Sequence, residues 1–287
     1  MNEAKINGHS YTFPASWNEL EQKHALKLID LFLQKNSTEE IKLRLLFFML
    51  GFKFVRKQAA TKQGEEFFLV RTDQGDIYFP ADQLAFLSSG LDFLFTTNKD
   101  GLPEFNSELS KNLLPSFRHQ NIWFYGPADR LFNLSWTEYI QSNANLSFYA
   151  STKDSQYLDL LIACLYRPGL ENNDPDDYRY TGDPRQPFND YLIDRYAAIF
   201  ASLPLNYKHL VYLYYIGSLK HMRSQHPAAF GSSGGGDPSL KEILSMIDLL
   251  AKNDVTKTDQ IEHTNVYKIL INIEQSKLQQ NPKRNGI

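Results

Sequence analysis

The sequence predicts a mainly α protein made of helical hairpins, internally duplicated, with one small β-hairpin. Three observations point there. The pattern F-x-x-S-W-x-E occurs twice, in "FPASWNEL" and in "FNLSWTEY". Each copy is followed by two apolar segments of helical period with a break between them. One stretch alone, "EEFFLVRTDQGDIYFP", reads as two strands around a turn.

The first copy places Ser16 as an N-cap with Glu19 three residues on. In that arrangement the serine oxygen takes a backbone N–H and the glutamate reaches back to the cap. Leu20, Leu26, Leu28, Ile29 and Leu33 then predict a helix through Leu33. Ser37 with Glu40 opens a second helix, "IKLRLLFFML", and Gly51 stands where a left-handed residue stops it. The second copy repeats the plan. Ser135 and Glu138 cap a helix to about Tyr149, "STKDS" breaks it, and "QYLDLLIACLY" runs to "RPG". Ser16 to Gly51 spans 35 positions and Ser135 to Gly169 spans 34, so the copies keep register.

Between the copies, Phe67–Arg71 and Asp76–Phe79 form the predicted β-hairpin around Asp73-Gln74-Gly75, and Pro80 opens a further helix. Residues 97–115 read as polar loop and "RHQNIWFYGPADRL" as a linking stretch. After the second copy comes a proline- and acid-rich loop, Gly169–Asp190. Asp190 then caps "YLIDRYAAIFASL", and the stretch Leu210–Ile216 is apolar nearly all round, the mark of a buried helix. "AFGSSGGGDP" reads as a flexible linker. Beyond it a helix is predicted from Pro238 to Lys252, then a last one from Lys257 to Gln280. Its apolar stripe comprises Val266, Ile269, Leu270, Ile273 and Leu278 and is expected to dock on this same chain, the alternative being an arm that reaches a neighbouring subunit. The predicted domains are 1–115, 116–230 and 231–287.

The composition suits a folded soluble chain: 42% of its 287 residues are hydrophobic, 22% are charged, and 20 Phe and 16 Tyr supply large rings for a core or an interface. A formal net charge of -3 gives no electrostatic reason to expect nucleic acid or an anionic membrane. The longest apolar run, Leu45–Phe52, falls far short of the roughly 20 residues of a membrane span. The start "MNEAKINGHSY" lacks the pattern of a signal peptide, and a cytoplasmic protein is expected.

No motif in the chain predicts chemistry. The single cysteine, Cys164, sits in "LLIACLY", the setting of an inert buried thiol. The seven histidines are scattered, and His221 and His226 lie five apart, on different helix faces. Asp174, Asp176, Asp177 and Asp183 could offer hard oxygen ligands, but their spacing is not that of a calcium loop and Pro175 interrupts it. "GSSGGG" has no phosphate-loop lysine, and no serine lies in G-x-S-x-G. Arg167, and Arg195 with Asp194, read as ion-pair partners at helix ends. No catalytic residue, metal site or cofactor is expected.

"P-A-S-W-N-E-L" with its helical pair, "LDLLIACLYRPG" with the proline-rich loop after it, and "DRYAAIFASLPL" together resemble phage- and prophage-encoded proteins of Bacteroidetes, of tail-module or tail-assembly type. The likeness covers residues 10–50 and 130–225. It implies a non-catalytic protein–protein interaction protein in the assembly of a phage tail or phage-like particle, as a chaperone or as a structural component. Tail or particle subunits are the implied partners, with self-association as a further expectation and the virion as an alternative location. Candidate interaction residues are Tyr166, Arg167, Tyr178 and Tyr180 near the loop and Ile269 and Ile273 on the last helix. Two rival readings are an enzyme or nucleic-acid-binding factor using the loop 172–190, and a helical adaptor of the host cell. Aspartates converging with a histidine in a cleft would favour the enzyme; an exposed aromatic patch would favour interaction.

Overall fold

The chain begins with strands, in a stretch too short to show a period in the sequence. In the computed structural model, which describes residues 1–6, 9–58, 66–170, 182–230 and 261–280, β1 (Asn2–Ile6) pairs antiparallel with β2 (His9–Phe13). The structure divides into two units, Met1–Glu108 and Leu109–Ile287, so the division falls before rather than after Pro115.

In unit 1 the first predicted cap fails. The Ser16 side chain caps nothing, and residues Trp17–Glu19 make a single 3₁₀ turn. Leu20, buried and extended, ends that turn, so α1 starts later, at Gln22, and runs to Leu33. Glu19 instead turns back to accept the Ala15 N–H at 2.7 Å. Of the second predicted capping box only the serine half forms, because the Glu40 side chain pairs with Arg44. Ser37 Oγ accepts the Glu40 N–H, α2 spans Thr38–Leu50, and Gly51 closes it at φ 72°. Ile41, Leu45 and Leu46 of α2 and Leu28, Ile29 and Leu31 of α1 are buried and form the centre of the helical pair.

The predicted hairpin is present as β4 (Phe67–Thr72) and β5 (Gly75–Pro80), but β3 (Lys53–Gln58) joins it, giving the order β3–β4–β5. Pro80 does open a helix, α3 (Ala81–Ser89). The following segment read as loop contains a small pair, β6 (Phe95–Thr97) with β7 (Pro103–Phe105).

Unit 2 opens on residues also read as loop and linker. Leu109, Leu113 and Leu114 are buried, and β8 (Ser116–His119) and β9 (Ile122–Tyr125) form a hairpin. Its turn residues Gln120 and Asn121 both have positive φ, as a two-residue turn between twisted strands requires. After α4 (Trp136–Thr152) and α5 (Ser155–Leu165), β10 (Arg167–Pro168) returns to pair with β9. Asn189, one residue before the predicted cap, starts a 3₁₀ turn that leads into α6 (Ile193–Phe200). The long α7 (Leu205–Gln225) follows, buried on nearly every side between Leu210 and Leu219 as its sequence predicts. The short α8 (Pro227–Phe230) and the final α9 (Val266–Gln280) complete the described residues.

Helix and strand are therefore mixed, which corrects the mainly α expectation with one β-hairpin. The strands fall into four small sheets of two or three strands each, and the described residues are 54% helical and 20% strand. Strands of two to six residues carry too few alternations to register against an apolar background. The twice-written motif marks a shared order instead. In each unit a strand pair is followed by a buried tryptophan, two helices and a further strand.

The last helix packs on its own unit. Val266, Ile269, Leu270 and Ile273 are buried. The Val266 N–H donates to Leu134 O at 2.9 Å, and Trp136 N–H to Thr264 O at 2.9 Å. Lys277 Nζ donates to the free carbonyls of Ala228 and Ala229 at the end of α8. Residues 261–280 thus belong to unit 2, although the sequence set 231–287 apart. The first two residues of the predicted linker, Ala229 and Phe230, end α8 instead; the rest of it and the helix from Pro238 to Lys252 lie outside the described residues. No described helix is long and apolar enough to cross a membrane.

One contact fixes how closely α7 approaches the start of unit 2. A Cβ on Gly217 would stand 2.3 Å from Leu109 O and 2.6 Å from Leu109 N, both backbone atoms with no freedom to swing away. Alanine is the better helix former by about 1 kcal/mol, so propensity alone predicts a gain. The packing predicts the opposite sign. Gly217→Ala should lower stability by about 1–3 kcal/mol, read as a reduced midpoint in urea unfolding.

Candidate functional site

Two places gather functional groups, one inside unit 2 and one on the surface of unit 1. The first grows from the second cap. Ser135 Oγ accepts the Glu138 N–H, and Glu138 Oε2 accepts the Ser135 N–H at 2.9 Å, the reciprocal box that the sequence predicts. Glu138 has a second task, because its other oxygen, Oε1, faces the interior. Arg167 Nη1 and Arg185 Nη1 both donate to it, the latter at 3.0 Å.

Arg185 uses all five of its N–H groups. They reach Asp183 through Nε and Nη2, Glu138 and the Leu165 carbonyl through Nη1, and the Asn133 carbonyl through Nη2. Arg167 donates to the Gln186 carbonyl at 2.7 Å and to the Cys164 carbonyl at 3.1 Å, and lies over the Phe188 ring. Two cations thus meet two carboxylates, and Glu138, Arg167 and Arg185 are each at most 5% exposed. Burial works to raise the Glu138 pKa, but the charges of Arg185 and Arg167 and the Ser135 N–H outweigh it and hold the carboxyl below its ordinary value of 4.5.

The cluster is a fastening. It pins residues 182–186 of the long loop against the start of α4 and the end of α5, through charge-assisted bonds and chain carbonyls. Glu138, Arg167 and Arg185 are shut off from solvent, and Asp183, the one partly exposed member, has both carboxylate oxygens on Arg185. The neighbouring Cys164 thiol is fully buried and pushed up to about 12, which leaves no thiolate near neutral pH.

A second buried lock stands beside it. The Tyr166 hydroxyl donates to Leu114 O at 2.9 Å and contacts Asn112 Oδ1 at 3.2 Å, while Asn112 Nδ2 donates to Pro127 O. This fastens residues 112–114 to the α5 end.

These positions correct the expected interaction surface. Tyr166 and Arg167 are buried in unit 2, and Ile269 and Ile273 are covered by the packing of α9. None of the four is presented outward. Tyr178 and Tyr180 lie outside the described residues, as do Asp174, Asp176 and Asp177. The described member of that acidic group, Asp183, is held by Arg185. Among the described residues no three His, Cys, Asp or Glu side chains gather as a metal set.

The surface feature is a cavity of about 360 Å³ in unit 1. Glu3, Ala4 and Lys5 of β1 line it on one side, Ile77, Tyr78 and Phe79 of β5 on another, and Gln83, Phe86 and Leu87 of α3 complete it. Its floor is apolar and fixed: Ala4 and Phe79 are buried. Its rim carries large rings turned outward, with Tyr78 52% and Phe86 78% exposed. The strand parity of "GDIYFP" signals that Tyr78 opposes Phe79. What brings β5 beside β1 is tertiary, so the sequence holds no local sign of the groove.

No protein-family model, curated protein or solved structure matches the chain.

The ion cluster has a defined acid response. A carboxyl whose folded pKa is depressed contributes stability above its unfolded value and loses it as pH falls through the folded value. The Glu138 contribution is therefore complete well above pH 4.5 and is lost progressively as pH falls from there through the lower folded value. Glu138→Gln should cost about 3–5 kcal/mol at neutral pH, because two buried guanidinium groups are left with one counter-charge. The variant should also lose part of the stability decline below pH 4.5, read from urea unfolding across a pH series.

Proposed function

We propose that the chain is a non-catalytic protein–protein interaction protein, acting in the assembly of a phage tail or phage-like particle. The observation that carries the interaction reading is the unit 1 groove. Tyr78 and Phe86 are held outward by a paired strand and a helix, beside an apolar floor. Large rings fixed at a surface cost little side-chain entropy on binding and supply the anchors of protein interfaces. Their exposure has no use in the folded unit, since neither ring belongs to its core.

The polar groups of unit 2 support the same reading from the other side. Its buried carboxylate and guanidinium groups bond one another and backbone carbonyls, an arrangement that rigidifies a scaffold. The particle context rests on the resemblance over residues 10–50 and 130–225. The subunits of a tail or particle are the partners in this reading, and a chaperone and a structural component would use the groove alike.

The test is capture from a culture producing the cognate particle. Tagged protein should retain particle subunits at near-stoichiometric amounts, identified by mass spectrometry, and the Tyr78→Ser/Phe86→Ser double variant should lose them while keeping its far-UV spectrum. Retention that is indifferent to the groove, or capture without any particle subunit, would contradict the proposal.

A further inference from the structure

The groove has an unusual pair of walls: both are strand edges. The sheet order β3–β4–β5 leaves β5 at one edge, and β1 pairs only with β2. In an antiparallel pair, residues alternate between those that bond the partner and those whose N–H and C=O point the other way. The parity on β5 is fixed by its own ladder. Ala81 N–H donates to Glu66 O at 2.9 Å, which makes Glu66/Ala81 a bonded pair and, two residues at a time, Phe68/Phe79, Val70/Ile77 and Thr72/Gly75. Asp76 and Tyr78 therefore point their backbone groups away from β4.

On β1, Ile6 stands opposite His9 with two residues between them, so the bonded pairs are Ile6/His9, Ala4/Tyr11 and Asn2/Phe13. Glu3 and Lys5 point theirs away from β2. Three of these four outward residues, Glu3, Lys5 and Tyr78, line the groove. Among the described residues no further hydrogen bond takes up their backbone groups. Strand residues with unpaired backbone groups therefore line the cavity on two sides, above the buried Ala4 and Phe79.

We infer that unit 1 binds an extended peptide segment of a partner protein by β-strand addition in this groove. This rests on the interaction reading above and names the chemistry of its partner. An open strand edge is matched by another extended backbone, and alternate side chains then fall into whatever lies beneath. Here that is Ala4, Phe79 and Leu87, with Phe86 and Tyr78 at the rim. Charge defines the segment further. Glu3 and Lys5 cancel, and Asp76 is already paired with Arg71 at 2.8 Å, so the groove offers no net charge. The segment that fits is uncharged, extended and apolar at every second position.

The probe is a displayed library of random linear peptides selected on the full-length protein. The expected result is enrichment of sequences with alternating apolar residues and no net charge. An enriched peptide, made synthetically, should bind saturably and slow hydrogen exchange at the Tyr78 amide. N-methylation of its alternate amides should abolish binding, and Phe86→Asp should weaken it at least about tenfold, or 1.4 kcal/mol. Phe86 is exposed, so that variant keeps the fold; slow exchange at the bonded Ile77 and Phe79 amides in the free variant checks this directly.

Several results would overturn the inference. They are failure to enrich any peptide, binding that survives N-methylation, and concentration-dependent dimerisation that occupies the groove with a second copy of this chain. If particle subunits are still captured through Tyr78 and Phe86 while peptides fail, the interaction reading stands and strand addition falls.

Discussion

Unit 2 depends on one carboxylate. Glu138 closes the N-terminus of α4 with one oxygen and binds two guanidinium groups with the other. A helix start, a helix end and a returning loop are thereby fixed at a single point. Burying such a group is unfavourable unless its oxygens are bonded, and here both oxygens are met, one by a backbone donor and the other by two cations. The arrangement accounts for the burial of Arg167 and Arg185 and for their many bonds to chain carbonyls. Removing one charge would leave the others stranded, so the cluster stands or falls as a unit.

Around this fastening the remaining parts of unit 2 follow in order. Tyr166, one residue before Arg167, locks Asn112 and Leu114, and Gly217 brings α7 against the Leu109 backbone. The first and last turns of α9 are held by Leu134 and by the end of α8. Unit 1 has a different character. Its ion pair of Lys42 with Asp92 and Glu39 lies partly in solvent, and its strand edges are open. The groove lies there, on elements held by apolar packing.

Local chemistry was legible in the sequence where it acts over three or four residues. Ser37, Gly51, Ser135 and Glu138 do what their types and spacing predict, because a cap needs only its own helix turn. Ser16 carries the same pattern and does not cap, because Leu20 is drawn into the core in an extended conformation and ends the turn. The β8–β9 hairpin hid in "SFRHQNIWFY", where Phe117 and Phe124 face inward but Trp123 and Ile122 blur the alternation. Arg185 could not be assigned to Glu138, 47 residues away, since only the returning loop joins them. The groove is of the same kind: β1 and β5 stand far apart in sequence, and β1 is too short to show a strand period at all.

The account holds that the Glu138, Arg167 and Arg185 cluster of unit 2 is satisfied internally, while the backbone edges of the unit 1 groove are left for a partner. Residue-resolved amide hydrogen exchange on the free protein tests this most directly. Slow exchange is expected at Tyr139 and Tyr166, whose amides lie in the α4 start and the α5 end. Ile77 and Phe79 should also be protected, with Tyr78, Glu3 and Lys5 exchanging far faster than these neighbours. Strong protection at Tyr78 and Lys5 in the free protein would show the edges already paired and would contradict the account.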